Sequence, residues 1–208
     1  ISFGGQMHGL VMLDKDGKVI RRSIIWCDQR TARECAEITE RVGADRLMAV
    51  TASPALTGFT ASKILWVRNH EPEIYERCRR ILLPKDYIRY RLTGEFATEV
   101  SDASGMQLLD IAGRRWSDEV LDKLDIDRAM LGRVYESPEI TGAVSASAAE
   151  LTGLKAGTPV VGGAGDNAAA AVGTGVVRDG SAFTTIGTSG VVFAHTSSMA
   201  VDPQGRAH

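Results

Sequence analysis

Three cysteines in 208 residues, Cys27, Cys35 and Cys78, are odd in number and widely spaced. They build no disulfide frame, and without a Cys-x-x-Cys pair they offer no zinc motif. They read as reduced thiols of a cytoplasmic protein, placed for core packing. Charge of one sign is lacking too: 24 basic residues face 26 acidic ones for a formal charge of −2. That balance leaves no footprint for nucleic acid. No apolar run approaches the roughly 20 residues that cross a bilayer, so a membrane is not an expected partner either. The four histidines, His8, His70, His195 and His208, show no metal-ligand spacing. Internal repeats, charge blocks and low-complexity tracts are absent, as are an initiator Met and a visible signal peptide. The chain starts at Ile1-Ser2-Phe3, stops at Gly205-Arg206-Ala207-His208, and reads as an excerpt. What is present is a 44% hydrophobic composition, enough to bury one large domain or one domain and a piece of another around a small ligand.

The pattern alternates β-prone and helical stretches. Gly9 to Leu13 and Lys18 to Ile25, joined by Asp14-Lys15-Asp16-Gly17, predict a hairpin. Helical spacing is expected from Thr31 to Val42 with Gly43 as a stop, then over Ala61 to Asn69 and Pro72 to Arg80. Ile81-Leu82-Leu83-Pro84 reads as a short buried strand or connector before a helix over Asp86 to Leu92 that Thr93-Gly94 ends. Ser117 with Asp118 and Glu119, and Ser145 ahead of Leu151 and Gly153, are helix starts with the expected caps. The last quarter returns to β-prone runs at Pro159 to Val161, Ala182 to Ile186 and Val191 to Ala194. Mixed elements of this kind predict an α/β fold, with a boundary near Val176 to Asp179.

Chemistry concentrates where glycine does. Gly162-Gly163-Ala164-Gly165-Asp166-Asn167 leads from a strand into the alanine run Ala168 to Ala171. Glycines there permit positive φ and close approach to a ligand, and a helix start favours anions. Asp166 is either a base able to take a proton from a substrate hydroxyl or simply a helix cap. Gly163-x-Gly165-x-x-Ala168 also fits a dinucleotide fingerprint. The acid expected some twenty residues on is missing, however, since that stretch reads Phe183-Thr184-Thr185-Ile186-Gly187. The turn Gly187-Thr188-Ser189-Gly190 is either an ordinary hairpin tip or a cup for phosphate oxygens, and it lacks the Gly-Lys-Ser/Thr ending of a P-loop. Gln6-Met7-His8-Gly9 offers the donors and acceptors a polyol pocket needs. In Trp26-Cys27-Asp28-Gln29-Arg30, Asp28 is a natural helix cap, and its pairing with Arg30 either braces the loop or touches substrate.

Together, and in this order, these residues resemble the FGGY family of carbohydrate kinases. The most specific match is Gly58-Phe59-Thr60-Ala61-Ser62-Lys63-Ile64-Leu65-Trp66-Val67-Arg68-Asn69-His70, which fits the family's first signature at each constrained position. Gln6-Met7-His8-Gly9, Trp26-Cys27-Asp28-Gln29-Arg30, Leu83-Pro84-Lys85-Asp86-Tyr87 with Leu92-Thr93-Gly94-Glu95, and Gly165-Asp166-Asn167-Ala168 resemble the members that act on D-xylulose. The resemblance implies an actin-like, ribonuclease-H-like ATPase fold, a mixed sheet flanked by helices, here incomplete. Residues 1–176 would be the N-terminal sugar-binding domain lacking its first strands, and 177–208 the start of the nucleotide-binding domain. It implies ATP-dependent phosphorylation of a ketopentose, D-xylulose to its 5-phosphate, with Mg²⁺, by the full-length parent rather than by these residues alone. Another ketose or polyol as acceptor, or a non-catalytic sugar-binding module, stays open. Asp166 falls on the catalytic base, Met7, His8, Asp166 and Asn167 on sugar-binding positions, and Gly187, Thr188 and Ser189 on a phosphate loop. The metal ligands are not assigned. The partners implied are a small sugar and ATP, and a homodimer is allowed.

Overall fold

The computed structural model of the chain describes residues 1–187 and 190–206. In chain order its regular elements begin with β1 (Gly4–Gly5), β2 (Val11–Leu13), α1 (Ala32–Val42), α2 (Ala44–Thr51), α3 (Thr60–His70) and α4 (Pro72–Arg77). Next come β3 (Arg80–Leu82), α5 (Pro84–Thr93), β4 (Ala97–Glu99), α6 (Val100–Ala103), β5 (Leu109–Asp110), β6 (Arg115–Trp116) and α7 (Asp118–Leu124). The remainder is β7 (Arg133–Tyr135), β8 (Ile140–Ala143), α8 (Ala146–Thr152), β9 (Pro159–Val161), β10 (Ala164–Gly165), α9 (Asp166–Gly173), β11 (Ala182–Ile186) and β12 (Gly190–Ala194). The strands pair two by two, with β1–β10 and β4–β7 parallel and β2–β3, β5–β6, β8–β9 and β11–β12 antiparallel. Small sheets flanked by helices make this the α/β class the alternation predicted.

The main core gathers Leu10 and Met12 from the first strand region, Ile38 of α1, Ile64 and Leu65 of α3, Ile81 and Leu83 around β3, and Leu121 and Leu124 of α7. All are essentially removed from water. The helices α7 and α8 are anchored by the caps the sequence offers. The Ser117 and Ser145 hydroxyls accept the Val120 and Ala148 amides, satisfying donors that a helix start leaves open.

Four local expectations are corrected. The strand Val11–Leu13 does not ladder with the arm beyond the Asp14–Gly17 turn but with β3. The second arm bridges the first at Leu13↔Val19 and Leu10↔Ile24, with the Ile20 amide donating to the Met12 carbonyl; it runs longer than its partner between those bridges, so it bulges and Arg21 turns away to an ion pair with Glu71. Gly43 does stop α1, but its φ of 92° also launches α2, a helix the glycine hid. The helix from Pro72 ends at Arg77, because Cys78 is extended and Arg80 is already in β3. Among the cysteines only Cys78 packs in the core; Cys35 is half-buried and Cys27 exposed.

Candidate functional site

The site is built by one pairing. The strands β1 and β10 run parallel with Gly4 opposite Ala164 and Gly5 opposite Gly165, so the residues that follow each strand leave the same end. After β1 come Gln6, Met7 and His8; after β10 come Asp166 and Asn167. Open α/β sheets bind ligands beyond the carboxyl ends of their strands, and this is such an end. The pairing needs small residues: a Cβ on Gly4 would lie 3.2 Å from the Ala169 Cβ of α9. The Val161 and Ala164 amides donate to the Ile1 and Phe3 carbonyls, fastening the two segments.

The loop glycines, expected to allow close approach of a ligand, also make room for neighbouring protein. A Cβ on Gly162 would stand 3.0 Å from the Glu99 Cβ, and one on Gly165 would stand 2.7 Å from the Met7 Cγ. Gly163 alone of the three has positive φ, 78°, and a side chain there would collide with the Phe3 carbonyl. The last contact but one brings two candidate positions together, since Met7 lies against the residue that precedes Asp166.

Asp166 opens α9 and is exposed, with Asn167 half-buried beside it. The cap position belongs to Gly165, and the Asp166 carboxylate accepts the neighbouring Asn167 amide at 3.0 Å. The capping reading is therefore replaced by a carboxylate in the first turn, where the positive end of the helix favours its charge.

His8 is held from three sides. Its backbone lies in the left-handed region, φ 66°, a conformation uncommon outside glycine. Its carbonyl accepts the Lys63 ammonium at 2.9 Å and the Thr60 hydroxyl at 3.2 Å, both from α3. Its Nδ1 lies 2.9 Å from the Gly105 carbonyl. A carbonyl only accepts, so Nδ1 carries a proton in this arrangement. The Phe59 ring meets the imidazole edge-on at 4.9 Å.

Beneath the loop lies a buried set of charges that the sequence reading passed over. Lys85 Nζ is 2.8 Å from Asp86, 3.3 Å from Glu99 and 3.5 Å from Asp102, and Arg89 is 3.0 Å from Asp86, all of them nearly or wholly without solvent contact. Arg89 also donates to the Gly162 carbonyl at 3.0 Å, and Ser101 accepts the Gly165 amide at 3.1 Å, so the set grips the loop that carries Asp166. Burial raises the Asp102 carboxyl well above the usual range, with the Lys85 ammonium opposing and the Asp86 and Glu99 carboxylates adding to the rise. One signal was legible: Lys85, Asp86 and Arg89 fall on one turn of an amphipathic helix, where i,i+3 charges meet.

The remaining candidates lie elsewhere. Gly187 follows β11 (Ala182–Ile186), which pairs antiparallel with β12, whereas Asp166 opens α9. Thr188 and Ser189 lie outside the described residues. Asp28 does not cap α1, whose cap position is Thr31; it grips Arg30 with both oxygens, and Arg30 lies over Trp66 at 4.7 Å. That pair braces the loop. Among the described residues, no group of three His, Cys, Asp or Glu could cage a metal, and no helix is long and apolar enough to cross a membrane.

Residues 1–173 match the family model described as the N-terminal domain of the FGGY family of carbohydrate kinases. The chain is 45% identical over its full length to a xylulose kinase of Escherichia coli, of which it covers 42%. The solved structure of a xylulose kinase from Rhodospirillum rubrum superposes with a TM-score of 0.93 at 30% identity, over 98% of this chain and 42% of that one. A gluconate kinase from Lactobacillus acidophilus superposes with a TM-score of 0.91 at 25% identity, over 99% of this chain and 42% of that one. The chain thus spans about two fifths of the curated relatives it matches, and its small sheets and flanking helices are part of the actin-like ATPase architecture of sugar kinases. With the model matched over residues 1–173 and a relative this similar along the whole chain, the chain belongs to the FGGY family of carbohydrate kinases.

Proposed function

We propose that the protein carrying this chain transfers the γ-phosphoryl group of ATP to a hydroxyl of D-xylulose, giving D-xylulose 5-phosphate. The observation that carries this reading is the parallel β1–β10 pair, which sends Met7-His8 and Asp166-Asn167 out from one end. In this reading residues 1–176 form the sugar-binding domain, and 177–208 begin the nucleotide-binding domain, where Gly187, Thr188 and Ser189 meet phosphate.

The chemistry follows from the residue types. Asp166, exposed in the first turn of α9, accepts the proton of the attacking hydroxyl as its oxygen bonds to the γ-phosphorus and ADP leaves. Nε2 of His8 and the Asn167 amide hydrogen-bond sugar hydroxyls, and the Met7 thioether lies against the carbon skeleton. Mg²⁺ needs only one or two carboxylates alongside substrate phosphates, so the lack of a protein cage among the described residues suits an ion that arrives with the nucleotide. When bound, it would neutralise charge on the transferring phosphoryl group.

The test is Asp166→Ala in the full-length protein. Phosphorylation of D-xylulose should fall by roughly a thousandfold or more while sugar affinity changes by less than about tenfold. Retained turnover would remove Asp166 as the base. The gluconate kinase neighbour makes the acceptor the open specificity question. D-xylulose, other ketoses and gluconate compared at equal concentration answer it, and a higher kcat/KM for any of the others would displace D-xylulose.

A further inference from the structure

Lys63 is wholly buried, yet the chemistry proposed above does not use it. From the first turn of α3 its ammonium reaches out of the helix and donates to two main-chain carbonyls, those of His8 and Gly58. The Thr60 hydroxyl, one turn earlier, donates to the same His8 carbonyl. That carbonyl belongs to the residue whose backbone is left-handed and whose ring is fixed by Gly105. A left-handed histidine persists only where its surroundings over-determine it, and here the carbonyl is the point they hold.

We propose that Lys63 is a positioning residue for the sugar, its protonated amine fixing the His8 carbonyl so that the imidazole is presented at the shared end of β1 and β10. The proposal rests on the sugar-binding reading of His8. It gives the sugar side of the reaction an alkaline limit. Burial lowers the Lys63 ammonium from its ordinary value to about 8, against the opposing pull of the Asp28 carboxylate. The titratable groups facing it are Asp28 and Cys27 from the loop before α1 and Cys35 from α1 itself. Once neutral, the amine donates a weaker hydrogen bond, and the His8 carbonyl loses its charge-assisted partner.

The full-length protein tests this by steady-state kinetics between about pH 7 and 9.5, across the ordinary range of such a shifted amine. In the wild type the ketose KM should climb above about pH 8 while the ATP KM stays flat. Lys63→Met should start with a ketose KM roughly tenfold higher at pH 7 and show no further climb, with kcat within about threefold. Lys63→Arg, which stays protonated, should keep the low KM and abolish the climb. Cys27→Ser and Cys35→Ser should keep it. A flat wild-type profile, a folded Lys63→Met with unchanged ketose KM, or a climb that vanishes with either thiol overturns the proposal. Should neither Lys63 variant melt cooperatively, the wild-type profile decides alone. Should no ketose be turned over at all, the sugar reading falls. Lys63 is then judged by the His8 imidazole NMR signals of the ligand-free protein. A titration near pH 8 in those signals sustains the positioning role, and signals that stay put across the range end it.

Discussion

Gly163 shows how a single hydrogen atom can decide a site. Its φ of 78° suits glycine, and any Cβ would meet the Phe3 carbonyl on the strand that carries Met7 and His8. Gly163→Ala therefore combines left-handed strain with a backbone collision. It should cost roughly 2–4 kcal/mol, measured as a lower urea midpoint at unchanged slope. An alanine variant as stable as the wild type would mean that the loop can withdraw from β1. Residue identity announced some of this and misassigned the rest. The glycines of the Asp166 loop were conspicuous in the sequence, but a glycine that makes room for a ligand and one that makes room for Glu99 or Met7 look alike until the neighbours are known. Met7, His8, Asp166 and Asn167 were legible as candidates through motif resemblance. The partners that set their geometry, Thr60, Lys63, Ser101 and Gly105, were not, because hydrogen bonds between residues tens of positions apart leave no local trace.

At the scale of elements, helix boundaries were readable wherever caps and periodicity agree, as at Ser117 and Ser145. They failed where one residue serves two elements, as Gly43 does between α1 and α2. The ion pair that joins α5 to α6, Lys85 to Asp102, left no local pattern even though the charges within α5 did. Two cations, Lys85 and Arg89, face three carboxylates, Asp86, Glu99 and Asp102, in the same buried space. Among the described residues neither Asp102 oxygen has a hydrogen-bond partner, the Lys85 ammonium standing 3.5 Å away as an ion pair. The raised Asp102 carboxyl has a definite sign in stability. Well below its ordinary value of about 3.9 it is protonated in both folded and unfolded chains and carries no penalty. As pH rises the unfolded chain releases the proton first, so the folded state loses stability until its own raised value is passed. Asp102→Asn removes that slope. Its urea midpoint, compared with wild type, should therefore improve between pH 4 and pH 7, and a constant difference across that interval would show that the buried carboxyl does not resist ionisation.

Across the whole molecule, stability is unevenly spread. Leu10, Ile38, Ile64, Leu65 and Ile81 knit α1, α3 and the β2–β3 pair into one core, whereas among the described residues β11 and β12 pair only with each other and leave Ile186 87% and Val192 76% exposed. An isolated two-stranded hairpin is marginal in water. In the 208-residue chain, amide exchange should therefore find the β11–β12 amides opening at close to zero free energy while those of α3 open only with the global transition. Equal protection in both would mean that the hairpin is held by more than its own ladder. The composition gave no hint of this contrast, because the hairpin is as apolar as the strands of the core, and burial is a property of partners.

The β1–β10 ladder joins residues 4–5 to residues 164–165, far apart along the 208-residue chain. A ribosome adding about 5–20 residues per second needs roughly ten to thirty seconds to make the second strand after the first. Until then the segment bearing Met7 and His8 waits without its neighbour, and no nascent chain shorter than Asp166 can present both halves of the candidate site. Ligand recognition would arrive late in biosynthesis, as a mark that the two distant segments have met.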